Sequence, residues 1–326
     1  MFQKIKKILL VYRSKFRTFG LIYSFLRSAF TNASVIIPDR SYAKWFYKLY
    51  TKKKLNLDNP TLTNEKMWWL KLNNKNPLMT ICSDKHLARG YVEECGYSEI
   101  LIPQIAVFDN VDDIDFSKFD IPVILKNNNN SGSFVFYSPD DINFNEKSAK
   151  RTLKRGLKEK YYLVSREWNY KHIPPRIVVE EVIKTPNNEP LRDYRFFCFD
   201  GEPKILMMDV GVLNDEGEYQ TNYPRNMYDM DFNLLPIHWG REPYNGHVDK
   251  PENLDKMIEI SRKLSQPFPF CRVDLYNIEG KIYFGEITFY HGGCCQNIEP
   301  EEWDRKIASW IDLNSDKIIN IEENIR

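Results

Sequence analysis

The chain has 326 residues, with 46 Lys plus Arg against 45 Asp plus Glu and a formal net charge of +1. Hydrophobic residues make up 42% and charged residues 28%, the balance of a globular protein of about two domains or subdomains rather than a disordered, collagen-like or disulfide-stapled chain. Without an excess of basic residues to neutralise phosphate backbones, a general nucleic-acid binder is disfavoured, and no nucleic-acid partner is expected.

The charge is unevenly placed. Residues 1–38 carry Lys4, Lys6, Lys7, Arg13, Lys15, Arg17 and Arg27 with no acid, leaving 39 basic against 45 acidic residues afterwards. This head is too often interrupted by charge to span a bilayer and lacks the pattern of a secretory signal, so a cytoplasmic location is expected. Its apolar residues, from Phe2 to Leu26, recur at three- and four-residue steps. They fit either a helix lying on the inner face of the membrane, through residues 1–30, or a helix packed on its own domain. The six cysteines show no zinc spacing and read as reduced thiols. Cys294 and Cys295 are adjacent in a glycine-bearing loop, where an incidental role outweighs a reactive one.

Residues 39–105 read as a helical lead-in. A helical pattern runs from Ser41 to Leu72 around a turn at Pro60, with a capping box at Thr63–Lys66. A second helix starts at Ser83 or Asp84 and stops at Gly96. Strand-like runs follow at Ile100–Ile105, Val123–Leu125, Phe134–Tyr137, Ile177–Ile183, Tyr194–Phe199, Lys204–Val210, Cys271–Ile278 and Lys281–Ile287. Helices are expected at Glu146–Lys158, Asn253–Leu264 and Glu301–Ile311. The mixture means α+β or α/β, with units at 106–183 and 184–326.

Three features carry chemistry. In the hairpin around Glu279-Gly280, Asp274 and Glu286 approach each other at the end away from the turn. Two carboxylates held together call for a cation, and oxygen ligands of this kind suit Mg²⁺ carrying a nucleotide's phosphates, unless Asp274 is a solvated strand residue. The apolar run Val123–Leu125 ends in Lys126 and opens into a flexible polar loop, Asn127 to Ser133. Such a loop can fold its N–H groups over phosphate or make a plain hairpin connection. The run Ile177–Val179 ends in Glu180 and Glu181, where Glu180 and the Val182 backbone can meet an adenine or simply be solvated.

The order of these parts resembles the ATP-grasp fold, and more narrowly the TupA-like ATP-grasp family found with bacterial surface-polysaccharide genes. The resembling stretches are Asn64-Glu-Lys-Met-Trp-Trp-Leu-Lys-Leu, Ser83-Asp-Lys-His, Val123-Ile-Leu-Lys, Ser165-Arg-Glu-Trp-Asn-Tyr-Lys, Asp193-Tyr-Arg-Phe-Phe-Cys-Phe-Asp-Gly-Glu-Pro-Lys, Asn226-Met-Tyr-Asp-Met-Asp-Phe-Asn-Leu-Leu-Pro and Phe268-Pro-Phe-Cys-Arg-Val-Asp-Leu-Tyr. The resemblance implies two α+β subdomains gripping ATP, with Lys85 and Lys126 on its phosphates and Ser131, Gly132 and Ser133 covering them. It implies Glu180 and Val182 at the adenine, Asp193 at the ribose, Arg272 on the transferred phosphoryl group, and Asp274 and Glu286 on Mg²⁺. Thr288 stands where such enzymes commonly carry Asn as a third metal ligand. The loop at Tyr290-His-Gly-Gly-Cys-Cys places His291 either at a substrate or in a local role, the local reading being preferred.

The implied chemistry is ATP-dependent activation of a carboxylate as an acyl phosphate, which an amine attacks. A uronic acid and an amino acid are the substrates this setting implies, with a free or lipid-linked saccharide acceptor. Arg195 and Arg225 are candidate contacts for an anionic substrate, or plain ion pairs. Two rivals stand beside this reading. One is a glycosyltransferase using Asp229 and Asp231 in an Asp-x-Asp triplet, and the other a membrane-attached scaffold without activity.

Overall fold

The computed structural model describes residues 33–132, 134–186, 192–210 and 223–320. The basic head up to residue 32 and Ser133 lie outside these residues. The lead-in is four helices: α1 (Asp39–Thr51), α2 (Thr63–Asn73), α3 (Pro77–Ser83) and α4 (Ala88–Glu94). In α1, Tyr42, Ala43 and Tyr47 recur at helical spacing and are buried, and Lys52 ends the helix in the left-handed region at φ +65. Glu65, not the pair Thr63 and Lys66, caps the start of α2. Its carboxylate accepts from the amides of Thr61 at 2.9 Å and Leu62 at 3.1 Å. Thr63 instead donates its hydroxyl to the Asp304 carbonyl at 2.8 Å, tying α2 to the last helix.

The expected helix from Ser83 onwards is divided. Asp84 ends α3 and accepts from the His86 amide at 2.8 Å, so Lys85 sits in a turn before α4 begins. Gly96, at φ +91, closes α4 where expected. Ile100 is buried in a short turn, and the first strand starts later than its apolar run suggested.

Two antiparallel sheets follow. The first contains β1 (Gln104–Phe108), β2 (Val123–Asn127), β3 (Phe134–Tyr137) and β4 (Ile177–Glu181) in the order β1-β4-β2-β3. Helix α5 (Glu146–Leu157) buries Ala149 and Leu153 against Val123, Leu125 and Val179 of one face. A short helix, α6 (Tyr162–Ser165), precedes β4. The second sheet contains β5 (Asp193–Phe199), β6 (Glu202–Asp209), β7 (Arg225–Tyr228), β8 (Leu234–Leu235), and later β10 (Phe270–Ile278) and β11 (Lys281–Thr288). Its order is β11-β10-β5-β6-β7-β8. The short strands β9 (His238–Trp239) and β12 (Ile298–Glu299) pair with each other, and α7 (Leu254–Ser265) and α8 (Glu301–Ser309) complete the chain.

The core has two parts. Lead-in residues such as Met67, Trp68 and Val92 share one cluster with Phe196, Phe197, Leu275 and Ile307 of the second sheet and its helices. A smaller cluster lies beneath the first sheet. Burial of this apolar area is the main favourable term in folding.

Candidate active site

The floor of the site is the β10–β11 hairpin. Ile278 pairs with Lys281 across a two-residue turn in which Glu279 (φ +48) and Gly280 (φ +81) both take left-handed conformations. That turn fixes the register. It places Asp274 opposite Glu286 and Arg272 opposite Thr288. A bulge follows Asp274, where Gly285 lies so close that an added Cβ would stand 3.0 Å from the Asp274 carbonyl oxygen. Arg272 grips Asp274 with two bonds of 2.6 Å, from Nε and Nη2, and Nη2 also reaches Glu286 and Thr288 at 3.1 Å each. Thr288 donates its hydroxyl to Glu286 at 2.9 Å.

Burial pushes Asp274 up to about 6, against the pull of Arg272. Burial also opposes ionisation of Glu286, but Arg272, Lys85 and the Thr288 bond hold its carboxyl below the usual range. The two carboxylates thus differ, Asp274 being held toward its protonated form and Glu286 toward its ionised form.

Beneath the floor runs a second layer. Arg272 Nη1 donates to His291 Nδ1, and His291 Nε2 lies 3.0 Å from Gln296 Oε1, so the ring is neutral with its proton on Nε2. Burial, with Arg272, Arg225 and Arg195 nearby, drives the His291 pKa well down. Phe197 and Trp239 stand edge-on to the ring at 5.2 and 5.4 Å. Gln296 Oε1 also accepts from Arg225 at 3.3 Å, and Arg225 binds Asp209 through Nε at 2.5 Å and Nη2 at 3.1 Å. Arg195 bonds Asp209 and Asp193, the latter at 2.6 Å, and stands 3.7 Å from Asp274. Arg225 is 5% exposed and its guanidinium serves this network and the Trp239 carbonyl. Arg195 lies nearer the opening, among three carboxylates.

Asp209 and Gln296 were not singled out from the sequence. Asp209 closes the apolar run of β6 as Asp193 opens β5, and a charge at the end of a buried strand was the one available signal. Gln296 carried none.

The roof comes from the first sheet and the lead-in. Lys126 Nζ binds Glu180 at 2.7 Å, and Arg89 stands 3.8 Å from the same carboxylate. Lys85 Nζ donates to the Asn130 carbonyl at 2.6 Å. Burial and Lys126 lower the Lys85 pKa, while Glu286, Asp84 and Glu180 raise it. Lys85 therefore feels the charge of the hairpin acid Glu286 as well as that of the Lys126–Glu180 pair. The Val182 amide donates to the Pro122 carbonyl at 3.3 Å.

The loop after Lys126 is a correction. The expected flexible polar tract is four buried side chains: Asn127 donates to the Leu153 carbonyl at 3.1 Å and Asn128 to the Pro174 carbonyl at 3.0 Å. Asn129 and Asn130 each reach the Gly156 carbonyl at 3.4 Å. Three of the four thus bond carbonyls in the C-terminal half of α5, and Asn128 bonds one ahead of β4. Only beyond them does the chain emerge, at the exposed Ser131 and Gly132 (φ +81).

The Asp-x-Asp triplet lies in the turn between β7 and β8. Asp229 accepts from the amides of Asp231 at 3.0 Å and Asn233 at 2.8 Å, with Phe232 at φ +70. It is a turn-forming residue, away from the hairpin acids. All six cysteines are free. Burial pushes Cys294 up to about 12 and Cys295 up to about 11.

No group of three or more His, Cys, Asp and Glu among the described residues is placed to hold a metal ion. Two carboxylates and a hydroxyl on one hairpin are not a complete cage. They fit Mg²⁺ that arrives with phosphate oxygens completing its shell, the usual way this ion is held.

A family model described as TupA-like ATPgrasp matches residues 65–311. No curated protein matches the chain. Among solved structures, the chain is similar to a D-alanine–D-alanine ligase from Bacillus anthracis, at 16% identity over 73% of this chain and 69% of that one, with TM-score 0.40. A second structure of that ligase, complexed with ATP, shares 14% identity over 64% and 54% of the two chains, with TM-score 0.35. An L-amino acid ligase from Bacillus licheniformis shares 15% identity over 65% and 44%, with TM-score 0.40. The chain thus spans between 44% and 69% of the length of these structures.

Proposed function

The chain belongs to the TupA-like ATPgrasp family, and from that premise we propose that it is an ATP-dependent carboxylate–amine ligase. The observation that carries this reading is that Lys85 lies within the electrostatic reach of both Glu286, which Arg272 binds on the hairpin, and the Lys126–Glu180 pair of the first sheet. Two cations facing a pair of carboxylates are what a triphosphate with a divalent ion needs.

In this reading Lys126 and Lys85 bind phosphate oxygens, Lys126 exchanging Glu180 for phosphate. Ser131, Gly132 and Ser133 cover them, Glu180 and the Val182 backbone face the adenine, and Asp193 faces the ribose. Asp274, Glu286 and Thr288 hold Mg²⁺, which offsets charge on the phosphates when bound. Arg272 stabilises the charge that gathers as the γ-phosphoryl group moves to the substrate carboxylate. His291 holds Arg272 in place and Arg225 holds Arg195. Arg195 remains the contact for an anionic substrate, with Arg225 as its support. The acyl phosphate then loses phosphate to an attacking amine, giving an amide.

We place the reaction in surface-polysaccharide synthesis, with a uronic acid carboxylate and an amino acid amine. A lipid-linked acceptor would bring the protein to the inner membrane face, with residues 1–30 as a contact. No described helix is long and apolar enough to cross a membrane.

The test is ADP release over a panel of uronic and other carboxylic acids crossed with amines. ADP formed only when an acid and an amine are both present supports the ligase. ADP release that no carboxylate stimulates contradicts it.

A further inference from the structure

Positive charge at the start of the chain runs well past residue 38. Residues 1–54 hold 13 Lys and Arg and a single acid, Asp39, leaving 33 basic against 44 acidic residues in the remainder. Asp39 is paired with Arg166 at 2.8 Å. Helix α1 turns Tyr42, Ala43 and Tyr47 inward, which sends Lys44, Trp45 and Lys48 outward, and Lys52 continues that row past the helix end. Trp45 is 45% exposed. In the turn just before the helix, Val35 and Ile36 are 61% and 84% exposed.

We propose that the outward row of α1, Lys44, Trp45, Lys48 and Lys52, together with the exposed Val35 and Ile36 of the turn that leads into it, docks on the surface of an anionic lipid bilayer. Lysines attract acidic headgroups, tryptophan settles at headgroup level, and a protruding aliphatic pair enters the acyl boundary. An acidic polymer or a nucleic acid would engage the lysines but leave Val35 and Ile36 with nothing to bury against. The face is built from described residues and is independent of the ligase reading.

The experiment is sedimentation of the full chain with vesicles of phosphatidylcholine alone or containing phosphatidylglycerol. Binding is expected only to the anionic vesicles and should fall as salt is raised. The double variant Lys44→Glu/Lys48→Glu should bind about tenfold or more weakly, and Ile36→Asp several-fold more weakly. All three side chains are exposed, so the thermal midpoint should stay unchanged and shows that each variant is folded. Wild-type affinity in the folded double variant would overturn the proposal and leave residues 1–32 as the attachment. Equal binding to both vesicle types, salt-insensitive binding, or retention of heparin without vesicle binding would overturn it as well.

Discussion

His291 shows how one side chain links stability to pH. Its folded pKa is driven well below the ordinary 6.5 by burial and three arginines, so the unfolded chain takes up a proton that the folded chain refuses. The stability this group contributes is present above about pH 6.5 and is lost as pH falls from there, by about 1.4 kcal/mol per unit. Asp274, raised to about 6, works the opposite way between about pH 6 and 4, since the folded chain there holds the extra proton. The difference between the wild type and His291→Gln isolates the histidine. Urea midpoints should fall less steeply with acid in the variant, and parallel slopes would contradict the assignment. The thiols supply a second prediction at this scale. With Cys294 near 12 and Cys295 near 11, the thiolate fraction at neutral pH is tiny, so iodoacetamide should label both only after unfolding. Rapid labelling of the native protein would contradict these raised values.

Among the elements, the β10–β11 hairpin was legible in the sequence and the asparagine tract was not, for a physical reason. Alternating apolar residues around Glu279-Gly280 set the register by local rules as far as Leu275 opposite Phe284. Counting on would pair Asp274 with Gly285, and the bulge, which no local pattern announces, brings Glu286 there instead. Asn127 to Asn130 instead find their partners about 26 to 46 residues away, at the end of α5 and before β4. Nothing in the tract itself distinguishes a buried clamp from a solvated loop. Strand β7 was missed because it is four residues long and begins with Arg225, whose burial depends on Asp209 from the neighbouring strand. The clamp makes a prediction. Asn128 also accepts from the Arg176 amide at 2.6 Å, so Asn128→Ala removes two hydrogen bonds of a buried side chain, to a half-buried amide and to the carbonyl of the exposed Pro174. It should destabilise the protein by about 1 kcal/mol, read as a lowered urea midpoint. An unchanged midpoint would mean that water replaces the amide.

On the scale of the whole molecule, the order of parts was legible while the depth of the site was not. Strand ends bearing Lys126, Glu180, Arg272, Asp274 and Glu286 could be placed from local patterns and a family resemblance. The layer of His291, Gln296, Arg225, Asp209 and Arg195 joins residues from β5, β6, β7 and the loop after β11, and exists only once the sheet is assembled. That layer ties the hairpin floor to the rest of the sheet, and in the proposed reading Lys85 and Lys126 converge on it around one triphosphate. The most direct test of this convergence is Mg²⁺-dependent binding of ATP, measured by calorimetry on the wild type and on Lys85→Ala, Lys126→Ala, Asp274→Asn and Asp231→Ala. The account predicts binding that needs Mg²⁺, weakens about tenfold or more with each of the first three variants, and is unchanged in Asp231→Ala. ATP affinity that survives all three, or falls only with Asp231→Ala, would contradict it.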